Sequence, residues 1–171
     1  MSQTDLTWSQ PSAGRREYEL RSGAELVAAL KFRSRFGTLA TAESGDACWT
    51  FKRVGFWQSR ASIRACGSET DLAVFTNQTW GNGGTLEFAG GRAFKATTNF
   101  WMTNFELLTD ADEVLVRFKY GGVFRRSAEV EILPAAKGIS EVSLLVLFGW
   151  YLVIMLDIDT AAQAGAVVAT M

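Results

Sequence analysis

The chain has 171 residues, 48% of them hydrophobic and 20% charged, which fits one globular domain with a sizeable core and excludes wholesale disorder, collagen-like repeats and a multi-span membrane protein. Net charge is -1, so there is no global basic field for wrapping nucleic acid, and any anion binding must come from a local cluster. Histidine is absent, which removes the commonest general base and the commonest zinc ligand; no enzyme, metal or cofactor is expected.

Sixteen glycines against two prolines, with six tryptophans and twelve phenylalanines, suit short strands joined by glycine turns and not a helical bundle. Met1 to Gln10 is polar and lacks a cationic end followed by an apolar stretch, so no secretory signal is expected and a cytoplasmic protein, at most peripheral to a membrane, is implied. Strands are predicted at Thr4–Trp8, Arg16–Arg21, Glu25–Phe32 and Thr38–Ala42, then at Cys48–Val54, Arg60–Cys66, Leu72–Thr76 and Thr85–Phe88. Arg92–Thr97, Thr103–Leu108, Val114–Tyr120 and Val123–Ile132 complete the set, and nothing reads as a linker or second domain. In the last of these Ala128, Val130 and Ile132 alternate with Ser127, Glu129 and Glu131, the period-two pattern of a half-buried strand in a meandering antiparallel sheet.

Residues directly opposite in a hairpin share a face, which allows register to be tested. Pairing Cys48–Val54 with Arg60–Cys66 about Trp57 puts Trp49, Phe51, Ala61, Ile63 and Ala65 inside and Lys52, Arg60 and Arg64 outside. Arg53 then falls inside and needs a carboxylate or a place near the rim. Cys48 and Cys66, too few for a disulfide framework or a four-ligand metal site, face each other on the outer side; a cross-strand disulfide is permitted, and two reduced thiols are the expectation. At Ala89-Gly90-Gly91 a three-residue loop, setting Leu86 opposite Phe94 and Phe88 opposite Arg92, sorts the side chains best.

Gly81-Asn82-Gly83-Gly84 and Ala89-Gly90-Gly91 lack the strand-to-helix setting of a phosphate loop and read as turns. The fragments Thr76-Asn77, Thr98-Asn99-Phe100-Trp101 and Thr103-Asn104-Phe105 tempt a sugar-binding or base-stacking reading, but aromatic core alternating with polar strand ends explains them. The sharpest local chemistry is a cationic hairpin: Arg117, Lys119, Arg125 and Arg126 flank Gly121-Gly122. A two-residue loop sets Arg117 opposite Arg126, and a three-residue loop sets Arg125 opposite Arg117 or Lys119, so each register calls for an anionic neighbour. A phosphate headgroup would serve through bidentate guanidinium contacts, as would Glu113, Glu129 or Glu131 from adjoining strands. Lys52, Arg60 and Arg64 form a rival patch.

Val142 to Leu156 reads VSLLVLFGWYLVIML, apolar except for Ser143, and predicts a helix hydrophobic all round. Its core span of fifteen residues reaches roughly 22 Å against the roughly 30 Å of a bilayer's hydrocarbon, and Asp157 and Asp159 follow it without a cationic anchor, so burial inside the protein is preferred. The helix with its flanks covers about residues 139–157, and 158–171 forms a small-residue tail. A helix about 10 Å across needs about a dozen strands to enclose it, and the predicted fold is a mainly β, closed antiparallel barrel of about twelve strands around a central hydrophobic C-terminal helix.

This combination, with WTFKRVGFW at Trp49–Trp57 and VIMLD at Val153–Asp157, resembles the tubby C-terminal-like superfamily of tubby domains, phospholipid scramblases and plant LURP-one-related proteins. The resemblance covers roughly residues 17 to 160. It implies a twelve-stranded barrel threaded by a hydrophobic helix and an association with membranes and anionic lipids, through phosphoinositide headgroups in tubby domains. The cysteine- and proline-rich leader of scramblases is missing, and Asp157 and Asp159 follow the helix, whereas the calcium segment proposed for scramblases precedes it; two carboxylates also fall short of the six to eight oxygens calcium takes, so they read as a solvated helix end. The favoured function is a non-catalytic barrel that binds anionic phospholipid headgroups or a membrane surface. Its alternatives are a scramblase-like lipid transporter with the helix in the bilayer and a soluble scaffold or small-ligand carrier.

Overall fold

The computed structural model describes residues 5–54, 60–78, 83–99, 101–122 and 125–169. Trp57, Phe100, Gly81-Asn82 and the expected strand starts at Thr4 and Val123 lie outside them. Twelve strands follow in order: β1 Leu6–Ser9, β2 Glu17–Ser22, β3 Glu25–Phe32, β4 Ala40–Ser44, β5 Ala47–Val54 and β6 Arg60–Ala65. Then come β7 Asp71–Asn77, β8 Gly83–Phe88, β9 Ala93–Thr98, β10 Asn104–Leu108, β11 Val114–Gly121 and β12 Ser127–Ile132. A 3-10 turn at Pro134–Ala136 leads to the helix α1, Val142–Ala169. Each strand pairs antiparallel with its sequence neighbours, and β1 pairs with β12, Leu6 opposite Val130 and Trp8 opposite Ala128, to close the barrel.

Closure follows from the alternation. Along β12 Ala128 and Val130 are buried while Ser127, Glu129 and Glu131 face water, and each strand contributes its apolar set to the same interior. That interior is filled by α1, in which residues Leu144 to Met155 are buried without a break. A helix surrounded on all sides by strands has no solvent face, which is why its sequence shows no polar stripe. Aromatic pairs tie it to the wall: Trp150 stacks on Trp8 at 5.8 Å, Tyr151 on Phe32 at 5.7 Å, and Phe148 meets Phe51 edge-on at 5.1 Å. Through Val142–Gly165 the helix is long and apolar enough to cross a membrane, yet its part from Leu144 to Met155 is enclosed by the barrel.

The hairpin registers of β5–β6 and β8–β9 are as expected, with Phe51 opposite Ile63 and Leu86 opposite Phe94. Three expectations are corrected. The segment after Asp157 continues the helix through Ala169 instead of forming a tail, as its run of alanines, the best helix formers, allows. Cys48 and Cys66 are joined in a disulfide, their Cα atoms 5.4 Å apart across the β5–β6 pair, and are not free thiols. The last hairpin adopts none of the three registers considered: Arg117 faces Glu131, Lys119 faces Glu129, and Gly121 is still in the ladder opposite Ser127. Gly122, at φ 95°, turns the chain in the left-handed region, with its Cα close against the Arg125 carbonyl, where a side chain would collide.

The barrel has two unlike ends. The helix enters where Arg92 donates to both Glu141 oxygens at 3.0 Å. It leaves at the other end, past Tyr151, whose hydroxyl donates to the Thr38 carbonyl at 2.8 Å.

Candidate lipid-facing surface

The four cations of the last hairpin do not act together. Arg117 is held between two carboxylates, Nε donating to Glu106 at 2.7 Å and Nη1 to Glu131 at 3.1 Å, and the bond to Glu106 keeps its pKa above the ordinary arginine value. Lys119 projects from the outer wall opposite Glu129 and borders a groove of about 1010 Å³ along the β12–β1 seam. Asp5, Glu129, Glu131 and Lys137 share that groove, a mixed lining that offers an anion little net attraction. Arg126 turns inward: its Nε lies 2.9 Å from Asp157 Oδ2, a charge contact without an aligned hydrogen bond, since that oxygen is buried with none. Arg125 is exposed, with no partner among the described residues.

The rival patch is dispersed. Arg64 donates to Asp71 at 2.6 Å, near the helix-entry end, whereas Arg60 begins β6 at the exit end; four residues of strand separate them by about 13 Å. Lys52 lies exposed between, opposite Ser62.

Arg53 finds both of the conditions the sequence demanded. It sits at the exit rim and makes a bidentate pair with Asp159, at 2.8 and 2.6 Å. Asp157 and Asp159 are therefore not a solvated helix end; each clamps the emerging helix to an arginine of the wall. Burial raises the pKa of Asp157, with Arg126 opposing, and burial pushes Tyr151 up to about 12. Among the described residues no three acidic or cysteine side chains group to hold a metal ion.

Four residues to which the sequence assigned no role, Arg16, Arg33, Arg35 and Phe36, stand out at this end. Arg16 Nη1 donates to the carbonyls of Ser34, Arg35 and Gly37 at 3.0, 3.2 and 2.7 Å, and Gly37 N donates to Ser34 Oγ at 2.8 Å. These bonds fix the turn between β3 and β4, whose tip is Phe36, 91% exposed, flanked by Arg33 and Arg35. Neither arginine has a carboxylate partner among the described residues, and Arg35 lies 5.9 Å from the Phe36 ring. The missed signal was in the composition of the turns, not of the strands.

No protein-family model and no curated protein sequence matches the chain. A solved structure does: the X-ray structure of a protein from Arabidopsis thaliana, AT5G01750, superposes with a TM-score of 0.55 at 11% identity, over 92% of this chain and 93% of that one. The two chains share a fold, here a closed twelve-stranded antiparallel barrel around a C-terminal helix. At this identity the likeness concerns the path of the backbone and the central helix, and it assigns no site.

Proposed function

We propose that this barrel is a non-catalytic protein that binds membrane surfaces bearing anionic phospholipids. The observation that carries the reading is the segregation of charge between the two ends. The described residues of the helix-exit connections, 10–16, 33–39, 78, 99, 101–103, 122 and 125–126, include Arg15, Arg16, Arg33, Arg35, Arg125 and Arg126 and no carboxylate. The connections at the entry end contain Asp46, Glu69, Asp110, Asp112, Glu113 and Glu141 against Arg92 and Lys137. The exit-end carboxylates on the helix, Asp157 and Asp159, are already paired, so Arg15, Arg33, Arg35 and Arg125 remain to meet an external anion. A chain of net charge -1 thus presents a cationic pole, and a planar anionic surface is the partner that engages several separated arginines at once.

The cationic hairpin of the sequence reading contributes Arg125 to this pole; Arg117 and Lys119 are on the wall and serve the ladder. The disulfide aligns with oxidising compartments more than with the cytoplasm expected from the first residues, so the surface is specified by charge and not by location. Flotation with vesicles tests the reading. Wild-type protein should associate with phosphatidylserine–phosphatidylcholine vesicles and release them as salt is raised, and equal binding to pure phosphatidylcholine would overturn it.

A further inference from the structure

We infer that the barrel stands on the membrane by its helix-exit end, with the Phe36 turn inserted into the lipid interface. This rests on the membrane-binding reading above and adds to it an orientation, a depth and a residue. The first support is the turn itself. The Phe36 ring is 91% exposed, with the Arg35 guanidinium 5.9 Å from its centroid, and the backbone beneath it is pinned by four hydrogen bonds, three from Arg16, so little ordering is required when the ring is buried. Its neighbours Arg33 and Arg35 are placed as headgroup contacts beside an interfacial aromatic.

The second support is the distribution of exposed apolar side chains between the two ends. Among the described residues, the two most exposed large apolar side chains, Phe36 and Trp101 at 79%, are both at the exit end, where Ile158 on the emerging helix is 41% exposed. Leu26 and Leu72, at 51% and 38%, stand near the entry-end starts of β3 and β7, well below those two extremes. Among the described residues the exit-end connections carry Phe36 and Trp101, and the entry-end connections carry no aromatic residue. Arginine and aromatic residues concentrated on one pole, acid on the other, match the chemistry of an anionic bilayer interface and not that of a soluble anion, which needs no exposed rings.

The test uses the full chain and phosphatidylserine–phosphatidylcholine vesicles. Phe36→Ala should weaken vesicle partitioning by about tenfold or more, Phe36→Trp should retain it, and Arg33→Glu with Arg35→Glu should weaken it by more than about tenfold at low salt. All three positions are exposed, so melting temperature should be unchanged. An environment-sensitive dye on Phe36→Cys should shift to the blue on binding and be quenched by brominated lipid, while the same dye on Gly90→Cys, in the entry-end turn, should not respond. Should the wild type bind but the dye at position 36 stay in water, or Phe36→Ala bind as well as wild type, the orientation is wrong and the membrane reading survives. Should the wild type not bind anionic vesicles at all, both fall together.

Discussion

At the scale of single residues, Gly149 shows why a poor helix former sits in the middle of a buried helix. A Cβ there would lie 2.5 and 2.6 Å from the Phe118 ring and 3.1 Å from Leu107, so the glycine lets the helix approach β10 and β11. Ala in place of Gly gains about 1 kcal/mol of helix propensity, but overpacking costs about 1–3 kcal/mol. Gly149→Leu should therefore lower the melting temperature by several degrees, about 2–4 °C per kcal/mol, with a smaller effect for Gly149→Ala. A glycine in mid-helix points to a close approach; the ring responsible, 31 positions earlier in the chain, is not legible in the sequence. Asp157 offers a sign test. Its folded pKa is raised by burial, so the folded state binds its proton more tightly than the unfolded state, and this residue's contribution becomes less favourable as pH rises through the folded pKa. Asp157→Asn removes that dependence. The melting temperature of wild type relative to the variant should improve as pH is lowered from 7 towards 4, and a constant difference would show that the carboxyl does not titrate abnormally.

Elements differ in how much of them can be read in advance. Strand positions were legible because a half-buried strand writes its orientation every second residue, and two hairpin registers were legible because mispairing would have put Phe or Leu opposite an outward charge. The β11–β12 register was not, because both glycines at its turn were free to close it and only Gly122 does. Facing positions for Cys48 and Cys66 followed from register, but opposition of two thiols fixes geometry and not redox state. Intact protein should now resist alkylation until reduced. Cys48→Ala with Cys66→Ala should cost about 3 kcal/mol by loop entropy, measured by denaturant unfolding. The helix yields a paired prediction. Deleting residues 139–171 removes twelve buried positions at about 1.5–3 kcal/mol for each large apolar one, more than the roughly 5–15 kcal/mol that holds a domain together, so the remainder should aggregate or unfold. Deleting 161–171 starts beyond both aspartate clamps, at positions exposed through Gly165, and should leave thermal melting nearly unchanged.

For the whole molecule, the barrel and its central helix were legible from one consideration: a stretch apolar all round needs a wall if it is buried in protein, and a dozen alternating strands supply one; its length was not, since the helix runs on and through Val142–Gly165 is long enough to cross a membrane. The two poles were not, since charge was weighed strand by strand, whereas the asymmetry lies in connections that come together only once the strands are ordered up and down. The same up-and-down order has a consequence for how the protein comes into being. The wall is encoded first and the core last, and the seam between β1 and β12 joins residues more than a hundred positions apart. During synthesis, at about 5–20 residues per second, twelve strands emerge with their apolar faces uncovered for several seconds before Val142 leaves the ribosome. Nascent chains arrested before that point should be protease-sensitive and bound by chaperones, and protection should appear abruptly once the helix is released.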